Sequence, residues 1–346
     1  MSYESENILV PGTRIQDVRE FVLLLGYAKS GVMKSEEYGQ FEEYWWFDAT
    51  DYRSWSGVEL SIHRDDMKRV VVSTRTTVSR SYFDLNHQNN TISGIRKRFG
   101  GEFTTDEGRG RYLKPQSGPP PAPASGCYLA FNRFGHNLIK AKIYHEARDF
   151  PNHPPRKWKG IEFLQDLDPR TLANNTLVPF LVAAMEDYFK STFIALLRYS
   201  ARKEAFLKGV RLQGEQLLAI SDGNATVEEQ ISETLSFQRL SAVCRHFETI
   251  DIKLDIAGTL RKPYRRRSRS LLESLESLVL SRHDFIHRAT LDPTMTDVRI
   301  DGLIYDLEEA ITRVYRRITE HYDWFFDRGW SLGRQRRKKT LLRDTA

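Results

Sequence analysis

Apolar residues recur along this 346-residue chain at two spacings, mixed in the first half and helical alone in the second. Early segments mix helical and alternating patterns. Arg14 to Ala28 has apolar positions at helical intervals, as does Leu85 to Phe99, which the Gly100-Gly101 pair closes. Between them Glu43–Phe47, Val58–Ile62 and Arg69–Thr77 are rich in β-branched and aromatic residues and predict strands, with Arg111–Leu113 a further short one. Gln116 to Ser125 is too proline-rich for regular structure and reads as a loop within this first domain, because Tyr128–His145 still looks like α/β material. Beyond a second proline-rich stretch the pattern is helical throughout, over Leu172–Arg202, Val227–Phe247, Arg269–Arg288 and Leu303–Phe326. The expectation is an α+β protein of two domains. Residues 1–148 form a mixed α/β domain, 149–170 a linker, 171–330 an all-α bundle and 331–346 a basic tail.

Composition changes this picture little. Hydrophobic residues make up 40% and charged residues 28%, the balance of an ordinary globular protein. No run of about 18 apolar residues offers a membrane span, and the first residues lack a signal-peptide pattern. Cys127 and Cys244 lie far apart without metal-ligand spacing, which argues against a disulfide framework and for a reducing, cytoplasmic setting. The net charge of +6 is compatible with a polyanionic partner.

The most informative segment is Leu271–His287, LLESLESLVLSRHDFIH. Leu271, Leu275, Leu278 and Leu280, with Val279, Phe285 and Ile286, define an apolar face, and Arg282 projects from its middle. Arginine keeps its charge in a protein, and an unpaired buried charge costs several kcal/mol. Arg282 therefore needs an anion, a partner chain or a cleft. His283 and His287, one helical turn apart, border the same face. Arginine–four residues–histidine is common by itself: Arg148–His153 and Arg316–His321 repeat it. The plainer reading of Arg282 is a helix-end ion pair with Asp284 or Glu186.

Three stretches of the helical half resemble the HEPN superfamily (higher eukaryotes and prokaryotes nucleotide-binding domains), particularly its ribonuclease-toxin branches. They are LVPFLVAAMEDYFKSTFIALL, which carries Glu186 in an apolar helix, then SFQRLSAVCRHFETIDI, then LVLSRHDFIHRA with the arginine–polar–three residues–histidine signature. The resemblance spans Leu172 to Phe326. It implies a metal-independent endoribonuclease without cofactor, dimeric through this domain, in which Arg282 and His287 of two copies share one cleft. Under that implication His287 moves the proton of a ribose 2′-hydroxyl or of the leaving 5′-oxygen, as imidazole can near neutral pH. Arg282 holds the scissile phosphate, and His283 orients it or shares the proton transfer. Asp284 orients a histidine or is simply solvated, and Glu186 touches Arg282. Such proteins are often toxins or anti-phage effectors acting on tRNA or other RNA, with a regulatory protein or antitoxin as a further partner. The first domain would then be a sensor, a regulator or an RNA-positioning module. A non-catalytic RNA- or nucleotide-binding dimer, and a regulatory dimer with Arg282 in a purely stabilising network, are the competing expectations.

Other features weigh less. His283 and His287 have the i, i+4 spacing of zinc ligands, but two ligands make no site and the adjacent arginine repels a cation. Arg261, Lys262, Arg265, Arg266, Arg267 and Arg269 place six cations in nine residues just before the signature helix. They would draw RNA phosphates toward a cleft, or form a solvated loop. Arg96, Lys97 and Arg98 complement a helix carboxyl end, or belong to a nucleic-acid surface. Tyr44-Trp45-Trp46-Phe47 reads as core strand rather than a base-stacking platform. No phosphate-cradle glycine motif, paired-carboxylate set or Ser-His-Asp set is recognisable.

Overall fold

The computed structural model describes residues 2–35, 39–115, 118–148, 168–264 and 267–326. Contacts divide the chain into two units, Met1–Ser125 and Gly126–Ala346.

The first unit is built on β1 (Tyr3–Ile8), α1 (Ile15–Leu24), β2 (Ala28–Ser35), β3 (Gly39–Trp46), β4 (Val58–Arg64), β5 (Val70–Thr76), α2 (Tyr82–Phe99), β6 (Glu102–Thr105) and β7 (Gly108–Arg109). The strands form one antiparallel sheet in the order β2-β3-β4-β5-β1-β6-β7. Alternation decides which face is covered: Val58, Leu60 and Ile62 of β4 and Val70 and Val72 of β5 join Val18 and Val22 of α1 and Ile95 of α2 in one core. Part of that face is polar. Ser5 Oγ meets Thr74 Oγ1 at 2.6 Å, Asn7 donates to the Val72 carbonyl, and Gln88 of α2 bonds Thr74, Thr76 and the Tyr3 carbonyl. Ser81 and Asp84 form a capping box that starts α2.

Arg111–Leu113 is not a strand. The Leu113 N–H and carbonyl are both taken by the Asn89 side chain, at 3.0 and 2.8 Å, so no ladder partner is left for them. In β3 Tyr44 is buried in the core, whereas Trp45 and, just past the strand, Phe47 are exposed and stack at 5.2 Å.

The second unit is helical: α3 (Ala122–Ala147), α4 (Pro169–Arg198), α5 (Lys203–Leu207), α6 (Gly214–Ser221), α7 (Val227–Glu233), α8 (Leu240–Ile250), α9 (Ile256–Arg261), α10 (Leu271–Arg288) and α11 (Asp297–His321). Here the structure corrects the expected boundary. Tyr128–His145 is one helix, α3, and belongs with the helical unit rather than with residues 1–148. The cause is packing: Phe131 stacks on Tyr315 of α11 at 4.4 Å, and Phe134 meets Tyr188 of α4. Lys142 pairs with Glu308 at 2.7 Å, and Arg133 with Asp187 at 2.7 Å. The division therefore falls at Ser125, in the first turn of α3, which begins at Ala122 inside the stretch expected to be irregular; Pro123 is accommodated there because a first-turn N–H has no intrahelical acceptor. Of the expected linker only 168–170 is described, and it opens α4 with Asp168 as cap and proline in the first turn. The basic tail, 331–346, lies outside the described residues.

Val227–Phe247 is two helices, because Thr226 and Glu229 cap α7 as a separate short element and the chain turns again before Leu240. The core of the unit is aromatic, with Tyr188, Phe189, Phe193, Phe247 and Tyr315 fully or almost fully buried. Among the described residues no helix is long and apolar enough to cross a membrane.

Candidate functional site

Helix α10 opens with a reciprocal cap. Ser270 and Glu273 bond each other's backbone N–H groups, which fixes the first turn. Leu271, Leu275 and Leu278 then follow at helical spacing and are buried against the bundle. The same stripe continues through Arg282 and Phe285, both only half-buried. The apolar face is thus not buried along its whole length. Leu280 is 65% exposed and Ile286 50% exposed, so the second half of α10 presents apolar side chains outward. Helix α10 ends at Ala289, whose φ of 49° is left-handed. A side chain is strained there, and glycine is the usual occupant.

On this second half His283 and His287 are exposed, with ring centroids 4.5 Å apart at 47°. Asp284 pairs with Arg288 at 3.2 Å, one turn further on, and both groups are largely solvated. Arg282 makes no ion pair or hydrogen bond with another described residue. Its charge is nevertheless felt by Glu186 of α4. Burial raises the pKa of the Glu186 carboxyl, while the Arg282 charge and the Gln238 amide act in the opposite direction. One carboxylate oxygen, Glu186 Oε1, is buried without a hydrogen-bond partner. The fold therefore brings Arg282 within electrostatic reach of Glu186 in the middle of α4, with His283 and His287 beside it on α10 and Asp284 turned to Arg288. Gln238, just before α8, joins this set, and nothing in its local sequence marks it.

The basic run is less uniform than its composition suggests. Arg267 is exposed but tied to the fold: it reaches both oxygens of the buried Asp306 on α11 at 2.7 Å, and Ser274 of α10 donates to the same carboxylate at 2.6 Å. Tyr264 is buried beneath two guanidinium groups, Arg267 at 5.3 Å and Arg313 at 5.2 Å. Arg313 also holds the carbonyls of Lys262 and Pro263. Arg269 is exposed and donates to the Glu273 carbonyl, and Arg261 and Lys262 are exposed. Arg265 and Arg266 lie outside the described residues. Rather than a free loop, the described part of this run is a strap bound to α11.

The repeated arginine–histidine spacings separate clearly. Arg316 lies over the Phe326 ring and His321 Nε2 bonds Asp251 at 2.8 Å, so this pair is used within the chain. Arg148 is near Asp297, at 3.7 Å, and His153 is outside the described residues. Among the described residues no group of three or more His, Cys, Asp or Glu could hold a metal ion. Cys127 and Cys244 are buried and free, and burial raises both thiol pKa values.

Fold and site together define a two-unit α+β protein, an antiparallel sheet with covering helices followed by a helical unit with an arginine–histidine cluster. No family model, curated protein or solved structure matches the chain.

Proposed function

We propose that the helical unit is a metal-independent endoribonuclease of the HEPN type, working in the cytoplasm as a homodimer on RNA, with tRNA the first substrate to test. The observation that supports this reading most is the second half of α10. A half-buried guanidinium without an ion pair to any described residue stands beside two exposed imidazoles, on a helix segment whose apolar side chains Leu280 and Ile286 are uncovered. Exposed apolar surface around a charged centre suits a face that a second copy covers.

In this reading the imidazole of His287 removes the proton from a ribose 2′-hydroxyl. The 2′-oxygen bonds phosphorus, and the bond to the 5′-oxygen breaks. An imidazolium, from His283 or from the partner subunit, returns a proton to the leaving oxygen. The products are a 2′,3′-cyclic phosphate and a 5′-hydroxyl. Arg282 neutralises the charge that builds on the phosphoryl oxygens, and Glu186 sets the position of Arg282. Asp284 has the weakest claim, since it pairs with Arg288. Arg261, Lys262, Arg265, Arg266 and Arg269 guide RNA toward the cleft, and Arg267 acts by anchoring the strap that carries them. A toxin or anti-phage role, with the sheet unit as sensor, regulator or RNA-positioning module and a regulatory protein or antitoxin as partner, follows by analogy with the family.

The test is incubation of the purified protein with total tRNA in EDTA. Cleavage by the native chain is expected, and His287→Ala and Arg282→Ala are each expected to lower it at least about 100-fold. Undiminished cleavage in both variants, or none by the native chain, overturns the reading. One observation favours a second, non-catalytic reading: Glu186 of the same chain already lies in the field of Arg282. That reading expects RNA to be retained by the native protein with no cyclic-phosphate product.

A further inference from the structure

The sheet unit holds a separate concentration of positive charge, with a cavity at its centre. The turn leading from β1 into α1 and the hairpin joining β4 to β5 line a pocket of about 420 Å³. Arg14, Arg64, Lys68 and Arg69 are in its wall, and no carboxylate residue is. Carboxylates stand just outside it: Asp17 pairs with Arg14 at 2.9 Å and Asp65 with Arg69 at 2.7 Å. Arg64 donates to the Lys68 carbonyl at 2.7 Å. Neither Arg64 nor Lys68 forms an ion pair with another described residue. Ile15 and Gln16, the first residues of α1, complete the wall, and their N–H groups receive no side-chain cap from Arg14.

We propose that this pocket binds the phosphate groups of a nucleotide-sized ligand, either a free nucleotide or one unit of a polynucleotide. Arg14 and Arg69 are already paired with aspartates, which leaves Arg64 and Lys68 as the cations of the wall without a carboxylate partner among the described residues. Both are exposed, and two loops hold them around one half-open pocket. A polyanion supplies the missing counter-charge, through charge-assisted bonds from guanidinium and ammonium groups. The volume also falls within the roughly 300–1,000 Å³ range of small-ligand sites. Backbone N–H groups at the start of α1 add donors of the same polarity.

Lys68 provides a clean test, because its φ of 60° is left-handed and glycine fits that position without strain. Lys68→Gly combined with Arg64→Gln removes two charges and leaves the hairpin able to form. Calorimetric titration of the full chain at low salt would use ATP, AMP, pyrophosphate and adenosine, and decauridylate with the His287→Ala chain. Pyrophosphate or a nucleotide is expected to bind, adenosine is not, and the double variant is expected to lose at least about tenfold in affinity at unchanged thermal stability. Binding of ATP but not decauridylate assigns a free nucleotide. Decauridylate binding that pyrophosphate displaces and the double variant weakens assigns a polynucleotide backbone. Failure of all phosphate probes to bind, or equal affinity in a folded double variant, overturns the proposal. The pocket belongs to the sheet unit, so its outcome is independent of whether the helical unit cleaves RNA.

Discussion

Two arginines flank the buried part of α10, and the fold treats them in opposite ways. Arg267, just before the helix, is neutralised by a buried carboxylate that accepts from both it and Ser274. Arg282, near the far end, lies in the field of Glu186 but makes no ion pair with a described residue. The first arrangement locks the strap and α11 to α10. The second leaves a charge only partly compensated, beside two imidazoles and exposed apolar side chains. At the first site the charge that has left water is Asp306, and the exposed Arg267 answers it within the chain. At the second, the half-buried Arg282 has no ion pair among the described residues. Composition does not separate the two arginines; their partners do.

The largest effect that would sharpen this contrast is expected at Asp306. Replacing it with alanine removes the partner of Arg267 and Ser274 together, and should cost about 1–3 kcal/mol in urea-unfolding free energy, since the buried Ser274 hydroxyl loses its acceptor while the exposed Arg267 regains water. A loss below about 1 kcal/mol would put Arg267 in the same class as Arg282. By comparison, Arg282→Ala should change the same free energy by less than about 1 kcal/mol, while removing cleavage. Severe destabilisation would make Arg282 a structural residue and break the comparison.

A smaller effect is expected on assembly. Ile286→Glu adds charge to an exposed apolar position, and should weaken self-association at least about tenfold in sedimentation without lowering the melting temperature of the monomer. Self-association indifferent to this change would remove α10 from the interface. The smallest effect concerns Glu186. Burial raises its pKa, so the folded chain holds this proton more tightly than the unfolded chain does. Stability should therefore fall as pH rises from the ordinary value of 4.5 through the raised folded value. Glu186→Gln should remove that contribution, and unfolding curves across this range that match the native chain would contradict it.

Legibility in the sequence followed where side-chain chemistry matched burial. The runs that became β4 and β5 carry β-branched residues on the covered face, so alternation disclosed them. In β1 the covered positions are Ser5 and Asn7, which hydrogen-bond to Thr74 and the Val72 carbonyl of β5, and hydrophobic alternation is missing from a strand near the middle of the sheet. Likewise α3 mixes glycine, asparagine and histidine through its apolar positions, so a long helix read as indefinite α/β material. The α10 stripe was visible, as was the position of Arg282 within it. Where the burial stops was not visible, because that depends on what α4 and α11 cover. The bond from Arg267 to Asp306 was equally hidden, since it joins residues 39 apart whose meeting only the bundle arranges.

The polar seam of β1 has a consequence for synthesis. Ser5 must wait for Thr74, which leaves the ribosome 69 residues later. At about 5–20 residues per second that is roughly 3–14 s in which β1 has no β5 beside it. Its exposed Glu4 and Glu6 and its hydrogen-bonding Ser5 and Asn7 keep the waiting segment hydrated. The strand that stays unpaired longest during translation thus carries little of the greasy surface that would make it stick to other nascent chains.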